Sequence, residues 1–68
     1  MTETPMELIR KLDETAAALL DLAGRVRRAA AEVADPALRI EMLESADGWE
    51  RRAGEMAAAV LRWKREIN

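Results

Sequence analysis

The chain has 68 residues with neither cysteine nor histidine, so disulfides and the usual zinc ligand sets are excluded. Its 11 basic and 13 acidic residues give a net charge of −2, which argues against a nucleic-acid partner and against attraction to anionic membranes. The common general base and the thiol nucleophile are also missing. We therefore expect no enzymatic activity, no cofactor and no metal site.

The remaining composition favours helices. Half of the residues are hydrophobic, the two tryptophans are the only aromatic residues, and strong helix formers such as alanine and leucine dominate. No uncharged run is longer than Thr15 to Leu20, which is too short for a membrane span. The first five residues lack the basic start of a secretory signal, and we expect a cytoplasmic protein.

Two helix starts can be located. Thr4, Pro5 and Glu7 have the order of a capping box, with proline at the first helical position. Asp35 and Pro36 repeat such a start and disfavour helical geometry at Asp35. We predict one domain over residues 1–68, with a helix over about 5–33, a turn at about 34–35 and a second helix over about 36–67. So short a connection makes the two helices antiparallel.

Apolar and small residues recur at alternating spacings of three and four in both helices, the pattern of an alanine-rich coiled coil. Pairing residues whose numbers add up to 72 places alanine opposite a larger side chain in five of seven layers, as dense packing requires. The fold class predicted is an all-α, antiparallel two-helix hairpin. Its predicted core is Ile9, Leu12, Ala16, Leu19, Ala23, Val26, Ala30, Met42, Ala46, Trp49, Ala53, Met56, Val60 and Trp63.

The second helix also carries a resemblance, which covers about 20 residues. Asp35-Pro36, followed by Arg39, Leu43, Ala46, Trp49 and Ala53, resembles a pattern in short helical-hairpin proteins of alphaproteobacteria, which have no assigned activity. Gly48 before the tryptophan and a longer second helix depart from that pattern. The resemblance implies a bacterial origin and a helical hairpin of unknown function.

Several apolar residues fall outside the predicted core. A hairpin with one narrow seam is marginally stable, because ordering each residue costs about 1–2 kcal/mol of backbone entropy, so a second apolar face suggests dimerisation into a four-helix bundle. We expect a self-associating structural or protein-interaction module, with a dimer favoured. The alternative is a small accessory or inhibitory subunit that docks a helix face onto a larger protein. The candidate interface is Leu8, Leu20, Leu22, Gly24, Ile40, Leu43, Gly54 and Leu61.

Two charged groups are further candidates for sites. Glu41, Glu44 and Asp47 follow a spacing of three, but helical di-iron sites also need histidine, so a solvated flank is the better interpretation. The arginines near residues 25–28 and 51–52 have acidic neighbours in sequence, which favours a mixed charged face over a phosphate site.

Overall fold

The computed structural model describes residues 2–67, and the chain forms two helices. Helix α1 spans Pro5–Ala30 and helix α2 spans Pro36–Ile67. They pack side by side into a rod that measures 49 × 22 × 15 Å between Cα atoms. No strand occurs among these residues, and the predicted all-α hairpin is confirmed.

Both predicted helix starts are present. The backbone N–H of Glu7 donates to Thr4 Oγ1 at 3.2 Å, so Thr4 is the N-cap of α1 and Pro5 opens its first turn. At α2, the backbone N–H of Ala37 donates to Asp35 Oδ1 at 3.0 Å. These caps satisfy amides that have no partner within the helix.

Helix α1 ends at Ala30, three residues earlier than predicted. The backbone N–H groups of Glu32 and Val33 donate to the carbonyl oxygens of Ala29 and Ala30, at 3.0 and 3.1 Å. These bonds span three residues rather than four, so the chain is wound more tightly here than in an α-helix. The carbonyl oxygen of Val33 then accepts from Nε and Nη2 of Arg39, at 3.1 and 2.7 Å. The Arg39 side chain thus takes the place of the backbone N–H that would bind this carbonyl in a continuing helix. It links the two ends of the five-residue connection between α1 and α2.

The core repeats every seven residues on each helix. The buried side chains of α1 are Ile9, Ala16, Ala23 and Ala30, and those of α2 are Ala46, Ala53 and Val60. We label these positions a and the rest of each heptad b to g in chain order. Five of the seven buried residues are alanine, so the helices approach closely along this line.

The remaining residues of the predicted core occupy the d positions and are less buried. Leu12, Leu19, Val26, Met42, Trp49 and Met56 are half-buried, and Trp63 is 40% exposed. Trp63 therefore departs from the predicted core. Ile9 and Trp63 line one cavity together, as do Pro5 and Ile67, and both pairs add up to 72. The structure is thus consistent with the predicted register, in which each buried alanine is covered by a large side chain that faces solvent on its other side.

Neither helix offers a stretch that is both long and apolar enough to cross a membrane, within residues 2–67.

Candidate protein-interaction surface

The hairpin has two broad faces of different chemistry. Val26 lines a cavity with Met42 and Trp49, and Leu8 lines another with Trp63. These contacts place the d and g positions of both helices on one side of the rod. The ion pairs that join α1 to α2 instead use e and b positions, so those positions form the opposite side.

We name the side built from d and g positions the apolar face. It carries Arg52 and Glu66 as its charged residues and is otherwise uncharged. Such a continuous apolar surface on a small chain is typical of an interaction site rather than of ordinary solvent-facing surface. The residues of the apolar face are Leu8, Leu12, Thr15, Leu19, Leu22, Val26, Ala29, Leu38, Met42, Ser45, Trp49, Arg52, Met56, Ala59, Trp63 and Glu66.

Two shallow depressions shape the apolar face. One, of about 250 Å³, lies at the open end of the hairpin, where Leu8, Ile9 and Trp63 line it. The other, of about 310 Å³, lies near the turn, between Val26 and Trp49. Each tryptophan thus lies beside a groove, an arrangement that suits the large aromatic anchors of protein interfaces.

We name the opposite side the ion-paired face. Arg27 bridges two carboxylates of α2: its Nη2 lies 2.6 Å from Asp47 Oδ1, and its Nη1 donates to Glu50 Oε1. Nearer the open end, Lys64 Nζ lies 3.5 Å from Asp13 Oδ2. The residues of the ion-paired face are Met6, Arg10, Asp13, Ala17, Leu20, Gly24, Arg27, Ile40, Leu43, Asp47, Glu50, Gly54, Ala57, Leu61 and Lys64.

The ion pair between Arg27 and Glu50 shifts the pKa values of both side chains. The hydrogen bond from Arg27 lowers the pKa of the Glu50 carboxyl below its ordinary value, with a smaller contribution from the charge of the guanidinium. Hydrogen bonds to Glu50 and then to Asp47 raise the pKa of Arg27 further above its ordinary value. Arg27 and Glu50 are therefore both charged at neutral pH, and their ion pair links α1 to α2.

The candidate interface from the sequence does not form one surface. Leu8 and Leu22 lie on the apolar face and are exposed. The other candidates fall on the ion-paired face: Leu20, Gly24, Ile40, Leu43, Gly54 and Leu61. Both faces therefore expose leucines, but the apolar face also exposes the outer edges of the d residues, which the sequence pattern assigns to the core.

Clustered metal ligands are not found in the described part of the chain. No group of three acidic side chains gathers in an arrangement that could hold an ion within residues 2–67. Of the three carboxylates Glu41, Glu44 and Asp47, the last is bound to Arg27 across the hairpin.

Comparison with protein-family models, with curated proteins and with solved structures finds no match to this chain. Function must therefore be inferred from the geometry of the two faces.

Proposed function

We propose that this protein is a non-enzymatic, self-associating module, in which two hairpins stack through their apolar faces into a four-helix bundle. The observation that supports this most directly is the row of half-buried d side chains. In the register of the hairpin, five of these side chains lie level with a buried alanine of the opposite helix, and all of them leave part of their apolar surface exposed. A second copy supplies an apolar surface of the same length.

The dimensions of the rod suit such an interface. A face of 49 by 22 Å can bury the roughly 800 Å² per partner that is usual for stable complexes. The chain also gains much from association. Fully burying a large apolar side chain contributes about 1.5–3 kcal/mol, and within one hairpin the fully buried side chains are mostly alanine.

A matched pair of leucines tests the proposal. Leu22 on the apolar face and Leu20 on the ion-paired face are exposed on the same helix, 40% and 52% respectively. We expect sedimentation equilibrium at micromolar concentration to give the wild-type protein about twice its chain mass of 7.6 kDa. Leu22→Asp should return the mass to one chain, because it places a charge in an apolar interface.

Leu20→Asp is the control and should leave the dimer intact. A wild-type mass near 7.6 kDa would reject self-association and favour the accessory-subunit alternative. Loss of the dimer in Leu20→Asp but not in Leu22→Asp would place the interface on the ion-paired face. Circular dichroism of both variants checks that each stays helical.

A further inference from the structure

We propose that the second copy lies head to tail on the first, with the two turns at opposite ends of the bundle. This inference rests on the proposed self-association and adds its symmetry. A two-fold axis across the middle of the rod then places α2 on α2 of the second copy, antiparallel. The other way to stack two apolar faces puts both turns at the same end and α2 on α1 of the second copy.

The charges along the outer edge of α2 distinguish these arrangements. Glu41 lies five residues after the start of α2, and Arg62 lies five residues before its end. They are separated by three heptads, so they occupy the same side of the helix, at the margin of the apolar face. Glu41 indeed lines the depression near the turn. In the head-to-tail dimer, Arg62 of each copy faces Glu41 of the other.

The same-end arrangement brings like charges together. In the register of the hairpin, Lys11 lies within one residue of the level of Arg62. Stacking α1 of one copy on α2 of the other therefore opposes Lys11 to Arg62. The Nζ of Lys11 lies 2.6 Å from Glu3 Oε2, which reduces this repulsion. Like charges in register select against an arrangement, and opposite charges select for it.

The middle of the apolar face places one like-charged pair in this arrangement, and a neighbouring carboxylate compensates it. Arg52 lies at the midpoint of α2, and in the head-to-tail dimer the two copies of Arg52 meet beside the axis. Glu55 lies one turn further along, at the margin of the apolar face, where it reaches Arg52 of the second copy. The two arginines are thereby each provided with a carboxylate. Glu66, the other charged residue of the face, lies at the extreme end, where solvent remains.

A cysteine placed at the axis tests the arrangement directly, since the chain contains no other cysteine. We expect Arg52→Cys to form a disulfide-linked dimer under mild oxidation, because residues facing each other at the axis come within the Cα separation of about 4.4–6.8 Å that a disulfide needs. Ala58→Cys, on the far side of α2, should remain a monomer on a non-reducing gel.

Oxidising an equimolar mixture of Arg52→Cys and Leu22→Cys distinguishes the two symmetries. The head-to-tail dimer gives mainly the two like-with-like products, since each residue lies near its own copy. The same-end dimer gives the mixed product instead, because Arg52 then faces Leu22 of the second copy. Predominance of the mixed disulfide would overturn this inference while leaving self-association intact.

Charge reversal provides a second, independent measurement. We expect Arg62→Glu to weaken dimerisation roughly tenfold in sedimentation equilibrium, because it sets the new carboxylate against Glu41 twice per dimer. The double variant Glu41→Arg with Arg62→Glu should restore the wild-type dissociation constant. Arg65→Glu is the control, because it makes the same charge change near the end of α2 on the side away from the apolar face. It should have little effect.

Tighter association of Arg62→Glu would indicate the same-end dimer, in which the new carboxylate meets Lys11, and would overturn the proposal. An unchanged dissociation constant would also overturn it, since the margin of the face would then lie outside the interface. A monomeric wild-type protein would instead reject the proposed function itself.

Discussion

The apolar face and the ion-paired face flank the same line of buried alanines, yet they hold the hairpin together differently. On the apolar face, large d side chains such as Trp49 and Met56 cover the alanines and remain half-exposed. On the ion-paired face, Arg27 and Lys64 join the helices through carboxylates. Exposed ion pairs contribute about 0–1 kcal/mol each, whereas apolar burial scales with area.

Because of this difference, the contact between the helices can stabilise the hairpin on one face and leave a surface for association on the other. The ion pairs favour one rotational setting of the helices and are already satisfied within the chain, so they need no partner. The apolar side chains are only partly buried within the hairpin, and their exposed surface is available for a second copy. The asymmetry of the faces is thus the structural basis of the proposed association.

The largest expected effect of a substitution within the hairpin comes from the alanine line that separates the two faces. Ala53 is 1% exposed, so Ala53→Leu forces the helices apart and should lower the free energy of unfolding by about 1–3 kcal/mol. Urea denaturation followed by tryptophan fluorescence measures this. Ala58→Leu, at an exposed position of the same helix, should be nearly neutral, and equal losses in both variants would contradict the proposed tight approach.

Glycine substitutions give a smaller effect of opposite sign. A Cβ added at Gly54, on the ion-paired face, or at Gly48, on the outer side of α2, meets nothing within 4 Å. Gly54→Ala and Gly48→Ala should each raise the free energy of unfolding by about 0.5–1 kcal/mol, because alanine loses less backbone entropy on folding.

The same variants sharpen the comparison of the faces. If the dimer uses the apolar face, Gly54→Ala leaves the dissociation constant measured by sedimentation unchanged. Gly48 lies at the same margin of the apolar face as Glu41 and Glu55, so Gly54 is the position that tests the ion-paired face. Weakened association in Gly54→Ala alone would show that a second chain approaches the ion-paired face closely.

The smallest expected effect concerns the Arg27 cluster and pH. Since the folded state lowers the pKa of Glu50, this carboxyl stabilises the hairpin fully above its ordinary pKa, and the contribution disappears as the pH falls through the lowered value. Thermal melts should therefore show a modest loss of stability in acid. Arg27→Met should reduce the part of that loss due to Glu50, and an unchanged acid dependence in the variant would show that the cluster contributes little.

Much of the fold can be predicted from the sequence, because the signals are local or periodic. Thr4 and Asp35 cap helices through amides only two or three residues away, and the apolar spacing identifies a seam. The end of α1 is less accessible to prediction, because no residue near Ala30 interrupts the helical pattern. It depends on Arg39, which reaches back from α2 to the Val33 carbonyl.

What the sequence by itself determined is the existence of two capped helices and of a stripe made of a and d positions along each. What only the tertiary structure decided is how far each helix is rotated within the pair. That rotation buries Ala23 and Ala46 completely, leaves Trp63 exposed and divides the candidate interface between two faces. The physical reason is that a 3.5-residue repeat defines a stripe about two positions wide. Which of the two positions turns inward depends on how closely the neighbouring helix can approach.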